Sequence, residues 1–268
     1  RFRKGGGIGM EKKQILDELL TWRYAHRGFH DKPTVPENSI LAFGRAASEG
    51  FGIELDVHLT KDKKLAVIHD SSLQRTCGID LNIEEITLEE AQVYFLEKSE
   101  EVIPEFEDVL VVVSGKVPLI VEIKSAGGND RELTDAVMTA LEGYDGLYCI
   151  ESFSPSVVGY LRKAYPDVVR GQLAGCLNKN FDKKNAGGSG GEPTLTRLQD
   201  FLLKNLWVNI AGRPDFVAYC YEDRDMRAFV NFKGAKFMWT IRSYADLKIC
   251  EESGAAGIFE QFNPKDYE

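Results

Sequence analysis

Two histidines, an arginine, a lysine and three carboxylates stand at spacings that suit the handling of a phosphate ester. His26 and Arg27 sit in "YAHRGFH" (24–30), Glu54 and Asp56 in "GIELDV" (52–57), His69 in "AVIHD" (66–70), and Glu122 with Lys124 in "VEIK" (121–124). Along a strand alternate residues share a face, so Glu54 and Asp56 point the same way, as do Glu122 with Lys124 and His26 with Gly28. Three carboxylates gathered without counter-charge repel and raise one another's pKa. A hard divalent cation resolves that conflict. The three donors are all oxygens, which suits Mg²⁺ or Ca²⁺ and argues against a zinc site of Cys and His.

A cation with Arg27 and Lys124 forms a clamp for a phosphoryl group, neutralising its oxygens as negative charge grows. Breaking a phosphodiester then needs a base for the nucleophile and an acid for the departing alkoxide. Imidazole titrates close enough to neutrality for either task, and His26 and His69 are the pair placed for it. Read one at a time, Glu54, Asp56 and Glu122 are strand-end ion pairs with Arg27 and Lys124. Their joint placement on adjacent strand ends favours a site. His30 and His58 are expected to be partly solvated loop residues. Glu37 and Asn38, in "PENS", read as a turn and helix cap, with Asn38 kept as a support behind the cation ligands.

These residues need elements to hold them. Eight strand-like runs alternate with helix-like ones: "RYAHRG", "GIELDV", "PLIVEIK", "LYCIESF", "VVRGQL", "FVAYC", "KFMWTI" and "AGIFE". Between most of them apolar residues recur at helical spacing, as in 39–50, 130–143, 154–165, 195–206 and 243–254, several opening on a Ser, Asp or Asn cap. Strand then helix, eight times over, is the order of a single (β/α)8 TIM barrel, with an open doubly wound sheet as the alternative. A ninth run, "KLAVIHD" (64–70), follows "ELDVHL" after only "TKDK". Parallel strands need about a dozen linking residues, so this pair is a β-hairpin extending strand 2 and carrying His69 back over the barrel mouth. The carboxyl ends of strands 1, 2 and 3 then hold the charged residues, where barrels place their chemistry.

The 268 residues are 43% hydrophobic and 28% charged, an ordinary globular composition. A formal net charge of -9 works against nucleic acid as a partner, since such binding draws on a basic surface. Five scattered cysteines without a C-x-x-C pair suggest free, mostly buried thiols. No apolar run reaches the length of a membrane span. Residues 1–22 are expected to be a basic and helical extension or a cloning remnant, and 23–268 the barrel. "RFRKGGGIGM" reads as a scar or as the basic flank of a removed upstream segment, which would bring a membrane close. The Gly-rich stretch 178–193 is a candidate mobile lid on the catalytic face.

The ordered series His26-Arg27-Gly28, Pro36-Glu37-Asn38, Glu54-Leu55-Asp56, Thr60-Lys61-Asp62 and His69-Asp70 resembles the glycerophosphodiester phosphodiesterase family. "RTCG" (75–78), "IPEFEDVL" (103–110), "VEIK", "SFSP" (152–155) and "WT" (239–240) extend the likeness from Tyr24 to Pro264. The resemblance implies a phosphatidylinositol phospholipase C-like barrel that hydrolyses a small glycerophosphodiester to glycerol 3-phosphate and an alcohol, a reaction of lipid and glycerol metabolism. It implies metal ligation by Glu54, Asp56 and Glu122, acid–base roles for His26 and His69, and phosphate contacts from Arg27 and Lys124. Trp239 either lines the pocket or fills the barrel. Departures fall at "WTIRS", where Arg242 offers charge to a headgroup or joins a surface ion pair, and at "FEQF" (259–262), where the family's Thr-Asp is missing. A lyase resembling sphingomyelinase D and acting on lysolipids, or an inactive phosphate-ester binding barrel, are the alternatives. No stable protein partner is implied, and a cytoplasmic location is expected, membrane-associated if an anchor precedes Arg1.

Overall fold

The computed structural model describes residues 10–175 and 197–268; the stretch read as a lid, 178–193, lies outside them. Among the described residues one nine-stranded sheet is formed by β1 (Tyr24–Ala25), β2 (Gly52–Leu59), β3 (Leu65–Val67), β4 (Leu119–Ile123), β5 (Tyr148–Ser152), β6 (Arg170–Ala174), β7 (Phe216–Cys220), β8 (Ala235–Ile241) and β9 (Ala256–Phe259). β1 pairs in parallel with both β2 and β9, which closes the sheet and excludes the open doubly wound alternative. β3 runs antiparallel to β2, Val57 opposite Val67, as the short "TKDK" link requires. Thr60 and Lys64 close that turn with a backbone bond of 2.9 Å.

The strands read as nearly continuous apolar runs because both faces are buried. Ile53, Leu55, Val57, Leu119, Val121 and Ile123 face outward and pack with Phe43, Phe106, Val109 and Val137 of the surrounding helices. Their neighbours Tyr24, Ile120, Cys149, Phe216, Phe237 and Ile258 form a second core inside the barrel, joined there by Ile15 and Leu19. The helix Lys12–Leu19 thus plugs the amino-terminal end, and Tyr24 Oη donates to the Leu19 carbonyl at 2.7 Å. With the floor filled by side chains, only the opposite end is left for polar residues. A third, smaller core of Ala66, Ile68, Leu73, Ile83, Leu88, Leu96 and Ile103 lies under the segment that follows the hairpin.

Two local details aim the first loop. Ser39 Oγ accepts from the Ala42 amide at 3.1 Å and so starts the helix Ile40–Glu49. Gly28 takes φ 81° against that helix, where an added Cβ would lie 2.9 Å from the Ala42 Cβ, so the chain after Arg27 can approach closely only as glycine. Cys77, Cys149 and Cys250 are free thiols, Cys149 and Cys250 buried, whereas Cys220 is disulfide-bonded, so the expectation of free thiols fails there. No helix among the described residues is long and apolar enough to cross a membrane.

The floor leaves little slack. Gly171 sits opposite Phe216 in the β6–β7 register, and a Cβ on Gly171 would come within 2.1 Å of that fully buried ring. Gly171→Ala is therefore predicted to cost about 1–3 kcal/mol by overpacking, measured as a lower urea midpoint. An unchanged midpoint would mean that the ring has room to move.

Candidate active site

Glu54 and Asp56 project from β2 and Glu122 from β4, and the register sets Asp56 beside Glu122. Each is buried, and one oxygen from each lies within 4.8 Å of the others. The cluster is held from several directions. The backbone N–H of Arg27, at φ 55°, donates to Glu54 Oε2 at 3.0 Å. Asn38 Nδ2 donates to Asp56 Oδ2 at 2.8 Å, and Arg27 Nε stands 3.4 Å from the same oxygen. Lys124 Nζ bridges Asp56 Oδ1 at 3.2 Å and Glu122 Oε1 at 3.0 Å. So Glu54, Asp56, Glu122, Arg27 and Lys124 meet at one place.

Two lysine and arginine charges do not neutralise the cluster evenly. Burial, reinforced by Asp56, Glu122 and Glu151, holds Glu54 well above the ordinary carboxylate range. Burial pushes Asp56 the same way, but Lys124, His69, Arg27 and the Asn38 amide outweigh it and keep Asp56 well below. Glu151, on β5 opposite Glu122, is 1% exposed and is driven well up by burial, Glu122 and Asp56. Its Oε2 has no hydrogen-bond partner among the described residues. Excess negative charge on buried oxygens alone is what a hard divalent cation fits.

The histidines flank this cluster, each anchored at Nδ1 by a carboxylate. His26 Nδ1 lies 2.7 Å from Glu260 Oε2, while its Nε2 is 3.9 Å from Glu54 Oε2. His69 Nδ1 lies 2.5 Å from Asp70 Oδ1, and Arg75 Nε grips the other Asp70 oxygen at 2.5 Å. Burial and the nearby Arg27 lower the pKa of His26. Burial, with Arg27 and Lys124, lowers that of His69 to about 4. Behind them Glu37, 4% exposed, accepts from Arg27 Nη1 at 2.7 Å and Arg75 Nη2 at 2.6 Å, and also from Lys32. That carboxylate ties the two halves of the site together.

Several expectations change in detail. His58 is not a solvated loop residue: it lies within β2, 3% exposed, with Nδ1 2.7 Å from Glu84 and Nε2 3.0 Å from the His69 carbonyl. His30 follows the first strand as expected but is nearly enclosed, its Nε2 3.8 Å from Glu260. Ser39, rather than Asn38, caps the helix, which frees Asn38 to hold Asp56. Trp239 packs edge-on against Phe153 at 5.7 Å beside the inner core, and its buried Nε1 has no hydrogen-bond partner among the described residues. Arg242 pairs with Glu260 at 2.8 Å and Glu222 at 3.5 Å.

The residues that sequence reasoning passed over are Glu260, Glu151, Asp70, Arg75 and Glu84. The first two carried a readable signal. Glu151 alternates with Cys149, and Glu260 follows Ile258 at the next same-face position, so each is a charge on an inward face at a strand's carboxyl end.

A closed barrel with buried carboxylates and two anchored imidazoles at its carboxyl-terminal mouth has the layout of a metal-assisted phosphodiesterase. Comparison with known proteins agrees. The Glycerophosphoryl diester phosphodiesterase family matches residues 26–262. A glycerophosphodiester phosphodiesterase of Caldanaerobacter subterraneus is 31% identical over 251 residues, covering 90% of this chain and 93% of that protein. The lysophospholipase D of Rattus norvegicus is 34% identical over 80 residues, 30% of this chain and 24% of its own length. Among solved structures, an Oleispira antarctica phosphodiesterase in complex with the product sn-glycerol-3-phosphate superposes with a TM-score of 0.73 at 19% identity, covering 93% of this chain and 96% of that one. A Thermotoga maritima glycerophosphodiester phosphodiesterase gives 0.62 at 24% identity, over 88% and 92% of the two chains. These structures share the fold. The chain belongs to the glycerophosphoryl diester phosphodiesterase family and is a phosphodiesterase.

The depressed pKa of His69 makes a testable statement about the metal-free protein. An ordinary histidine titrates near 6.5, so between that value and about 4 the unfolded chain binds the extra proton and the folded chain does not. Stability therefore rises with pH across this window, and the contribution present above it is lost as pH falls. In metal-free protein the His69 ring proton is predicted to titrate by NMR near the lower end, and His69→Gln to flatten the pH dependence of the urea midpoint. A ring titrating at or above the ordinary value would refute the assigned environment.

Proposed function

We propose that the chain hydrolyses small glycerophosphodiesters to glycerol 3-phosphate and an alcohol, using one divalent cation, Mg²⁺ or Ca²⁺, held by Glu54, Asp56 and Glu122. The observation that carries this reading is the pair of imidazoles anchored at Nδ1, by Glu260 and Asp70, on the borders of the acidic cluster. The bound cation supplies positive charge to the phosphoryl oxygens. Arg27 and Lys124, directed at the two different oxygens of Asp56, turn to the phosphate and oppose the charge that builds on it in the transition state. One imidazole takes a proton from the attacking water through Nε2 as its oxygen bonds to phosphorus, and the other, in its protonated form, gives a proton to the alkoxide as the phosphorus–oxygen bond to it breaks. Such general acid–base steps contribute about 10²–10⁴-fold each. On this reading Trp239, whose Nε1 has no hydrogen-bond partner among the described residues, borders the ester. The neighbour crystallised with sn-glycerol-3-phosphate supports this product class.

The partial relative that acts as a lysophospholipase D favours a second reading, in which a lysolipid is the substrate and a neighbouring hydroxyl attacks to leave a cyclic phosphate. Phosphorus NMR on glycerophosphocholine, glycerophosphoethanolamine, glycerophosphoinositol and lysophosphatidylcholine separates the two by product. Glycerol 3-phosphate is expected from the first three, with Mg²⁺ or Ca²⁺ required and lost to chelator. His26→Ala and His69→Ala are each predicted to lower kcat at least about 100-fold. Turnover that survives either change removes that histidine from the mechanism, and no turnover by the wild type on the whole panel leaves a binding barrel.

A further inference from the structure

The carboxylate behind His26 comes from the segment where the family's Thr-Asp gives way to Phe259-Glu260-Gln261-Phe262, so its role is a matter of this chain's own chemistry. Parallel pairing of β1 with β9 brings the two together: Ala25 is in register with Phe259, and the His26 amide donates to the Phe259 carbonyl at 2.9 Å. Both oxygens of Glu260 are then committed. Oε2 accepts from His26 Nδ1 at 2.7 Å, and Oε1 accepts from Arg242 Nε at 2.8 Å and from Gln261 Nε2 at 3.4 Å. Its side chain is 10% exposed, while that of Arg242 is 46% exposed at the rim.

We propose that Glu260 is the positioning residue of His26: its carboxylate, pinned by Arg242, selects the imidazole tautomer whose Nε2 lone pair faces the acidic cluster. An ionised carboxylate only accepts hydrogen bonds, so the proton of a neutral ring must sit on Nδ1. The free Nε2 then lies 3.9 Å from Glu54 Oε2, on the side where the ester would bind. The other half of the site is built alike. Arg75 grips Asp70, and Asp70 grips His69 Nδ1, so each imidazole ends an arginine–carboxylate–histidine series that starts near the rim. Holding tautomer and direction in this way is how a buried carboxylate serves a histidine in acyl-transfer triads. The inference rests on the proton-transfer role proposed above for His26.

Replacing Glu260 by Gln separates this role from simple packing. Arg242 and Gln261 both present donors to the position of Oε1, so the amide oxygen of Glu260→Gln stays there, and the charged guanidinium holds it more strongly than a neutral ring would. The amide NH₂ then faces His26 Nδ1 and moves the ring proton to Nε2. Nitrogen-15 NMR of the full chain labelled at its four histidines, with and without Mg²⁺ in mildly alkaline buffer, reads the tautomer directly. His26→Gln identifies the signal. The wild type is expected to carry the proton on Nδ1, and Glu260→Gln to carry it on Nε2. With that switch kcat falls at least about 100-fold on glycerophosphocholine while KM stays within about threefold. Combining Glu260→Gln with Arg242→Ala lets the amide turn its oxygen to His26, and is expected to recover at least about tenfold of the lost kcat. A wild-type ring protonated on Nε2, a Glu260→Gln enzyme within about threefold of wild-type kcat, or a loss of kcat with the tautomer unchanged would each overturn the proposal. Wild-type protein that turns over no diester would instead defeat the reaction assigned above and leave the tautomer measurement to judge Glu260 on its own.

Discussion

Mutual repulsion among carboxylates that the fold forces underground governs this molecule. Glu54, Asp56, Glu122 and Glu151 come from three neighbouring strands, the last three of them in register and all away from water, where a negative charge costs far more than at the surface. The chain answers with Arg27 and Lys124, with the Arg27 amide turned inward by a left-handed backbone, and with the Asn38 side chain. Asp56 is satisfied by these partners and Glu54 is not. The remaining imbalance is one that a divalent cation could relieve.

The two imidazoles are held around the same cluster by carboxylates of a different kind, each balanced by its own arginine. Glu37 stands between them, shared by Arg27, Arg75 and Lys32. A residue that reads as part of a turn in "PENS" thus connects Arg27 to the arginine behind His69. His58 performs a similar service from beneath: with Glu84 on one ring nitrogen and the His69 carbonyl on the other, it fixes the backbone from which the second imidazole projects. Nearly every charged group in the mouth therefore has a partner that sets its direction, and the orientation of both imidazoles is fixed in the resting protein.

The sequence was informative wherever a local rule sufficed. Strand and helix alternate with clear periodicity, and four residues between Leu59 and Lys64 can only make a hairpin, so the closed barrel and the return of His69 to its mouth were legible. So were Glu54, Asp56, Glu122 and Lys124, since same-face spacing at strand ends is a property of short windows. What escaped were partners that meet only when the barrel closes. His26 and Glu260 are 234 residues apart, and a glutamate after an apolar strand looks like any solvent-facing terminus. The three cations around Glu37 come from separate segments, and the burial of His58 depends on Glu84 in a short turn that no periodicity announces. Cys220 escaped for a related reason, since a bond between scattered thiols has no local signature.

The small core beneath Ala66, Ile68, Leu73, Ile83 and Leu96 is separate from the two that build the barrel, and it supports Asp70, Arg75 and Glu84. Independent clusters of this kind open as their own cooperative units, at lower free energy than the whole molecule. One imidazole is therefore mounted on the main scaffold and the other on an annex that can breathe alone. Amide exchange would divide the mouth along that seam, and a destabilised annex would leave a barrel that keeps its acidic cluster and His26 yet loses the setting of His69.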